Sequence, residues 1–203
     1  AAVYLYLHGN SETLANRAER LAFLTQHGAG VLALSWRGYG GSSGAPTKEG
    51  LQRDALAAYE WLSARVASRR IIVFGESLGT AMALELAAER ETAALVLDSA
   101  YTSIAEVARH DYPWLPVDLL LRDRFDNLTL APKLSVPVRA MHCRDDYVVP
   151  YALGLKLFEA IGGGDKTLTT VERRCHVPNV VALEPALREL EARVRLTNTL
   201  PAK

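Results

Sequence analysis

The segment from residue 71 to residue 90, IIVFGESLGTAMALELAAER, constrains the fold more than any other part of the sequence. Ile71 to Phe74 is a short apolar run with the β-branched content of a buried strand, and the Ala/Leu/Glu-rich run that starts at Thr80 predicts a helix. The GESLG sequence between them matches G-x-S-x-G, a turn from strand to helix that strains the backbone of the serine and exposes its Oγ. We therefore predict that Ser77 is a nucleophile.

The residue types on either side of Ser77 fit such a turn. Gly75 and Gly79 lack the Cβ atoms that would collide where the helix folds back over the strand. The new helix also directs free backbone N–H groups toward the serine, where an oxyanion would form. An ordinary strand-to-helix turn is the alternative, because G-x-S-x-G by itself also arises by chance.

Length and charge limit the classes of function. The chain has 203 residues, which suits one well-buried domain, and we expect a single domain over residues 1–203. Lys plus Arg and Asp plus Glu number 23 each, so no net charge draws the protein to nucleic acid or to an anionic membrane. No apolar run is long enough to span a bilayer, and no signal peptide opens the sequence. A cytoplasmic or peripheral membrane location is favoured.

The sequence starts directly inside a predicted strand, AAVYLYL, without a cap or a lead-in. We interpret it as a fragment whose upstream part, with any targeting or anchoring segment, is absent.

Predicted strands and helices alternate along the chain. We predict strands at 3–7, 31–34, 71–74, 93–97, 136–141 and 167–171, and helices at 12–27, 47–66, 80–90, 150–161 and 184–195. This alternation predicts an α/β fold, with a mostly parallel sheet of at least six strands and helices on both faces. The segment from about 99 to 134 is punctuated by prolines and breaks the alternation, so we expect a small cap insertion there.

The glycine-rich loop at residues 36–44, WRGYGGSSG, suggests a nucleotide site as an alternative. A dinucleotide fingerprint that starts at Gly38 needs a glycine where Ser43 stands, and Pro46 delays the following helix. The spacing therefore argues against a nucleotide, and we expect no cofactor.

A serine needs a base to accept its proton and an acid to orient that base. In a parallel sheet these partners come from loops at the carboxyl ends of strands. The loop after the fifth strand supplies Asp146, and the loop after the sixth supplies His176, which gives the order Ser, Asp, His. Asp145 and Asp98 are rivals for the orienting acid, because both also lie at strand ends.

The motifs together resemble those of a known family. They are HGN at 8–10, WRGYGGSSG at 36–44, GESLG at the elbow, the D-x-V-V-P run from Asp146, and a late histidine. The chain resembles the Bem46-like branch of the α/β-hydrolase superfamily, which includes proteins of the ABHD13 and ABHD17 type, from His8 almost to its C-terminus. Family members usually carry glycine where Cys143 and Cys175 stand, and two further strands before the first one here.

The resemblance implies a role for each matching residue. Ser77 is expected to be the nucleophile, His176 the general base and then the general acid, and Asp146 the group that orients the imidazole. The backbone N–H groups of Asn10 and Leu78 are expected to form the oxyanion hole, and His8 to brace the loop that carries Asn10.

Glu76 within the elbow is expected to be solvated. His142 has no partner that the sequence can name and is expected to be structural. Cys143 and Cys175 match no zinc pattern, and two unpaired core cysteines are favoured over a disulfide. No metal site is expected.

The cap is expected to form an apolar substrate pocket over Ser77, lined by Tyr101, Trp114 and Leu115. The alternative for the apolar run 112–121 is that it packs on the domain or contacts a membrane. The predicted function is a serine hydrolase of carboxylic ester or thioester bonds that forms an acyl-enzyme. A peptidase, a lyase or perhydrolase with the same triad, and a non-catalytic binding protein of the same fold are the alternatives.

Overall fold

The computed structural model describes residues 1–10, 13–121 and 123–197. Within them six strands form one sheet: β1 (Val3–Leu7), β2 (Gly30–Leu34), β3 (Ile71–Glu76), β4 (Ala94–Asp98), β5 (Val138–Cys143) and β6 (Lys166–Val171). All neighbouring strands pair in parallel, in the order β2-β1-β3-β4-β5-β6. The predicted parallel α/β sheet is confirmed, and each strand lies within two residues of its predicted start and end.

In the described residues seven α-helices lie between or after the strands: α1 (Ala18–Thr25), α2 (Lys48–Ser63), α3 (Gly79–Glu89), α4 (Ile104–Asp111), α5 (Val117–Leu120), α6 (Tyr151–Ala160) and α7 (Glu184–Thr197). Thr47 caps α2, because its side chain accepts a hydrogen bond from the Gly50 backbone N–H. Residue 12, the expected start of the first helix, lies outside the described residues. In the part of the chain that the structure describes, none of the helices combines the length and the apolar character that a membrane span requires.

The sheet has a buried core on each face. Alternate residues of the central strands point to opposite sides, so Leu5 and Val73 pack with α2, α3 and α6, whereas Tyr4 and Phe74 pack with α1 and α7. Both faces are apolar because helices cover both, as expected of a parallel sheet.

The strand order changes direction between β1 and β3. From β1 the chain runs outward to β2 and then returns to β3 on the other side of β1. In open parallel sheets, ligands bind in the crevice beyond the carboxyl ends of the strands at such a point. The loops after β1 and β3, which carry Asn10 and Ser77, lie at this crevice.

The segment between β4 and β5 contains α4, α5 and a single 3-10 turn at Ala131–Lys133. Its buried side includes Ala105, Val117 and Phe125, whereas Trp114 and Leu119 are exposed. This segment corresponds to the predicted insertion between two βα units.

Cys143 and Cys175 form a disulfide, with their Cα atoms 5.7 Å apart. The expectation of two unpaired cysteines is therefore wrong. Cys143 is the last residue of β5 and pairs with Val171 at the end of β6, and the loop that leaves β6 folds back over this end of β5. Proximity in the sheet brings together two cysteines that are 32 residues apart in sequence.

Candidate active site

Ser77 lies in the turn between β3 and α3 with a φ of 48°, in the left-handed region that is unfavourable for a residue with a side chain. The two glycines permit the turn for different reasons. A Cβ on Gly75 would lie 2.7 Å from the Ala83 Cβ, because α3 folds back over β3. A Cβ on Gly79 would lie 2.1 Å from the Leu7 carbonyl oxygen, because the end of the neighbouring strand β1 passes there.

Ser77, His176 and Asp146 form a continuous hydrogen-bonded chain. The Nε2 atom of His176 is 2.9 Å from Ser77 Oγ, and its Nδ1 atom is 3.0 Å from both carboxylate oxygens of Asp146. A carboxylate only accepts hydrogen bonds, so the proton of the neutral ring is on Nδ1 and Nε2 is free to accept from the serine. The structure thus brings together residues from three loops in the arrangement that nucleophilic catalysis requires.

Asp146 is held in its ionised form by several donors. Its Oδ1 accepts from the backbone N–H groups of Val148 at 2.8 Å and Val149 at 2.9 Å. Burial acts to raise the pKa of this carboxyl, but hydrogen bonds from His142 and His176 outweigh it, so the pKa is lowered to about 2. Asp146 is therefore a carboxylate at neutral pH.

His142 is a neighbour of this carboxylate that the sequence did not reveal. It is buried, and its Nε2 is 3.0 Å from the Val149 carbonyl oxygen and 3.3 Å from Asp146 Oδ2. Since both neighbours are acceptors, Nε2 carries the proton. His142 precedes Asp146 by four residues in the sequence. Because His142 lies in a strand and Asp146 in the loop after it, this spacing did not predict that the two side chains would meet.

The two rival carboxylates are placed differently. Asp145 is exposed to solvent, although it is adjacent to Asp146 in sequence. Asp98 is fully buried and accepts hydrogen bonds from Arg20 and Ser99. Among the described carboxylates, Asp146 is the one within hydrogen-bond distance of the His176 ring.

Glu76 is not solvated, contrary to the expectation from the sequence. It is completely buried, pairs with Arg17 at 2.6 Å and with Arg20 at 3.7 Å, and accepts a hydrogen bond from Tyr6. Burial acts to raise the pKa of Glu76, but hydrogen bonding and attraction from the two arginines give a net lowering. Because Glu76 is in the strand and not in the turn, its side chain points into the sheet face that α1 covers.

The two residues expected to donate to an oxyanion border the same cavity as Ser77. Asn10 follows β1, and Leu78 is the first residue after the serine, at the start of α3. The side chain of Asn10 accepts a hydrogen bond from the Tyr39 hydroxyl, which fixes this loop. A backbone N–H at the amino end of a helix is well placed for a developing negative charge.

His8 supports the loop that leads to Asn10. Its Nδ1 donates to the Gly9 carbonyl at 2.7 Å, and the indole N–H of Trp36 donates to the His8 carbonyl at 2.8 Å. Burial lowers the pKa of His8, so the ring is neutral at physiological pH. Its contacts are structural, and it lies among the buried residues behind the site.

A cavity of about 320 Å³ opens beside Ser77 and is mostly apolar. Tyr101, one of the three residues expected to line a substrate pocket, borders this cavity. Trp114 and Leu115 do not: Trp114 is 77% exposed, and Leu115 borders a separate surface depression. The other apolar residues at the cavity are Tyr39, Pro46, Leu51, Leu78, Ile104, Val107, Leu121, Phe125, Val148 and Val149.

Trp114 and Leu115 lie away from the cavity because of how the backbone of the cap, residues 99–134, runs between α4 and α5. The segment turns outward after α4, so residues on α4 and after α5 face Ser77 while those between the two helices face solvent. Val148 and Val149 could have been recognised from the D-x-V-V-P run, whereas no sequence signal marked Phe125. In the described residues no group of histidine, cysteine and acidic side chains could hold a metal ion.

Comparison with known proteins agrees with this architecture. A family model described as alpha/beta hydrolase fold matches residues 4–142. An uncharacterised protein of Mycobacterium tuberculosis is 40% identical over 95% of this chain, and lysophosphatidylserine lipase ABHD12 of Mus musculus is 34% identical over 77% of it. The chain spans 66% of the length of the first relative and 44% of the second.

Solved structures show the same fold. An esterase of Pyrococcus furiosus superposes with a TM-score of 0.72 at 23% identity, covering 95% of this chain and 80% of its own. An acetyl xylan esterase from Paenibacillus sp. R4 gives a TM-score of 0.75 at 16% identity, covering 94% of this chain and 74% of its own.

Proposed function

Because the chain belongs to the α/β-hydrolase family, we propose that it is a serine hydrolase that cleaves carboxylic ester or thioester bonds through an acyl-enzyme. The observation that carries the proposal is the hydrogen-bonded chain from Ser77 Oγ through His176 to Asp146. The names of similar proteins support an ester substrate, since one relative is a lysophosphatidylserine lipase and two proteins of similar fold are esterases.

The first half-reaction joins the acyl group to the enzyme. His176 Nε2 accepts the Ser77 proton while Oγ attacks the carbonyl carbon of the substrate. The resulting oxyanion accepts hydrogen bonds from the backbone N–H groups of Leu78 and Asn10. His176 then gives its proton to the leaving alcohol or thiol, and the acyl group stays on Ser77.

The second half-reaction releases the acid. A water molecule takes the place of the leaving group, His176 accepts one of its protons, and the new oxyanion collapses to the free carboxylic acid and Ser77. In both halves Asp146 stabilises the imidazolium that forms transiently, because it stays ionised near neutral pH.

The apolar cavity is the proposed acyl site. Tyr101, Ile104 and Phe125 border this cavity. Among the described residues that line it, the charged side chain is that of Asp123, which is acidic. Such a lining favours an alkyl chain over a negatively charged acyl group. We therefore propose a neutral alkanoyl ester or thioester, including one from a lipid, as the substrate.

Labelling with a fluorophosphonate tests the function directly. We expect the intact mass of the parent to increase by one probe group, and Ser77→Ala to remain unlabelled. Turnover of p-nitrophenyl butyrate and of butyryl thiocholine should be lost in the same variant. Equal labelling of the parent and Ser77→Ala would refute the assignment of the nucleophile, and a folded parent with neither label nor turnover would indicate a binding protein.

A further inference from the structure

The loop that carries His176 is attached to the domain at few points. It leaves β6 after Val171, and Arg173 and Arg174 are exposed. The Ser99 hydroxyl donates to the His176 carbonyl, and Arg20 donates to the Pro178 carbonyl. The Arg173 carbonyl also accepts a hydrogen bond from the Asp145 backbone N–H at 3.4 Å, but among the described residues no backbone–backbone hydrogen bond involves residues 174–176.

The disulfide is attached at this approach. Cys175 directly precedes His176, and its partner Cys143 is the completely buried last residue of β5, three residues before Asp146. The bridge thus connects the neighbour of the base to the strand that leads into the acid.

We propose that the Cys143–Cys175 disulfide is a positioning crosslink for catalysis: it holds His176 against Asp146 and Ser77, and its reduction lowers turnover. This inference rests on the proposed function. His176 must keep two hydrogen bonds at once, 2.9 Å to the serine and 3.0 Å to the carboxylate, and a covalent tie at the adjacent residue limits how far the ring can move. Ser77, in the strained elbow, does not depend on the bridge.

A reductant can reach the bridge without entering the substrate cavity. Cys175 is partly exposed and borders a surface depression of about 510 Å³, together with Arg17, Arg173 and Val177. None of the described residues at this depression borders the cavity beside Ser77. Arg173 lines the same depression, and the positive charge of a guanidinium favours the approach of a thiolate.

The chemical step is an exchange of two electrons. A small dithiol attacks Cys175 Sγ, the S–S bond breaks, and a mixed disulfide forms while Cys143 leaves as a thiol. The second thiol of the reagent then closes its own disulfide and releases Cys175 as a thiol. The protein gains two electrons and two protons, and the dithiol loses both.

The test compares the oxidised parent, the dithiothreitol-treated parent and Cys143→Ser/Cys175→Ser. Maleimide mass shifts count free thiols, and steady-state kinetics with p-nitrophenyl butyrate give kcat and KM. We expect reduction to lower kcat about tenfold with KM little changed. The double variant should show the same lower kcat and no response to dithiothreitol, which makes it the control for effects of the reagent.

Hydrogen exchange gives a measurement that does not require activity. Reduction should speed exchange in peptides that cover residues 172–179 and leave β3 protected, and the fluorophosphonate should label Ser77 more slowly. A reduced protein with two free thiols and unchanged exchange in 172–179, or with unchanged kcat, would overturn the proposal. Loss of protection in β3 as well would overturn it too, because the bridge would then stabilise the whole fold.

The proposed function fails in a different way. If Ser77 is never labelled and no ester is hydrolysed, whether the Cys143–Cys175 disulfide is oxidised or reduced, the assignment of the protein as a hydrolase is wrong. Faster exchange of 172–179 after reduction would then still show a crosslink that orders this loop, but a crosslink without a catalytic role.

Discussion

Asp146 accepts hydrogen bonds from the His176 ring and from two backbone N–H groups, and the His142 Nε2 lies 3.3 Å from its Oδ2. Such a set fixes both the charge and the orientation of the carboxylate. A neutral amide in its place could present an N–H to His176 and so favour the tautomer whose Nε2 carries the proton, which cannot act as base toward Ser77.

We therefore expect Asp146→Asn to lower kcat by up to about 10⁴-fold, as loss of the orienting carboxylate does in serine hydrolases. The matched control is Asp145→Asn, which makes the same chemical change at the adjacent, exposed position. Steady-state kinetics on p-nitrophenyl butyrate measure both variants. If Asp145→Asn were crippled and Asp146→Asn active, the acid would have been assigned wrongly.

The contact between His142 and Asp146 leads to a second prediction about a single residue. Its Nε2–H lies between the Val149 carbonyl and Asp146 Oδ2, so it steadies the carboxylate without contact with the substrate. We expect His142→Ala to lower kcat about tenfold, the equivalent of one hydrogen bond to a charged group at roughly 1.5 kcal/mol, with KM unchanged.

Two further variants test this position. His142→Gln keeps an N–H donor and should recover part of the lost kcat. The exposed His110 provides the control, because His110→Ala removes an imidazole far from the carboxylate. Equal kcat in His142→Ala and His110→Ala would show that His142 only fills space.

At the scale of elements, the cap supplies several of the residues that border the cavity beside Ser77, the proposed acyl site. Helix α4 presents Ile104 and Val107 to the cavity beside Ser77, and Phe125 closes it from the segment after α5. Buried methylene groups contribute about 0.8 kcal/mol each, so every added carbon of the acyl chain can raise kcat/KM up to about fourfold until the cavity is full.

We expect kcat/KM for p-nitrophenyl esters to rise from acetate to butyrate or hexanoate and then to fall. Phe125→Ala should move the maximum toward longer chains, because it removes a wall of the cavity. Trp114→Ala serves as the matched aromatic truncation, since Trp114 is exposed on the outside of the cap. A profile that changes with Trp114→Ala and not with Phe125→Ala would place the acyl chain elsewhere.

At the scale of the whole molecule, the paired carboxylates make stability depend on acid. Interactions with arginine side chains lower the pKa of Asp54 and Glu76 even where burial opposes it, and hydrogen bonds from His142 and His176 do so for Asp146. A carboxyl whose pKa is lower in the folded state stabilises the fold above its unfolded pKa of about 4, and this contribution is lost as the pH falls toward the folded value.

Asp146 allows this to be measured at one site, because its folded pKa is about 2. The difference in unfolding free energy between the parent and Asp146→Asn should be largest above about pH 4 and should shrink between about pH 4 and pH 2. Urea titrations at about pH 6, 5, 4 and 3 measure it, with Asp145→Asn as the control. A difference that stays constant over this range would contradict the effect.

Local patterns in the sequence determined the elements of this protein. Short apolar runs marked all six strands, and apolar residues at helical spacing marked the long helices; the alternation of these elements predicted a parallel sheet with two covered faces. GESLG marked the turn in which Ser77 has a positive φ, because Gly75 is needed for the close contact with Ala83 on the helix that directly follows. These features depend on neighbours in the chain, which the sequence contains directly.

The tertiary structure alone decided which side chains meet across different loops. It placed Asp146 and not Asp98 against His176, buried Glu76 between Arg17 and Arg20, and added His142 to the site. It also joined Cys143 to Cys175 and turned Trp114 away from the cavity. Each outcome depends on where loops far apart in sequence fold at the carboxyl edge of the sheet, and hydrophobic periodicity contains no information on such contacts, because they arise from packing between elements and not within them.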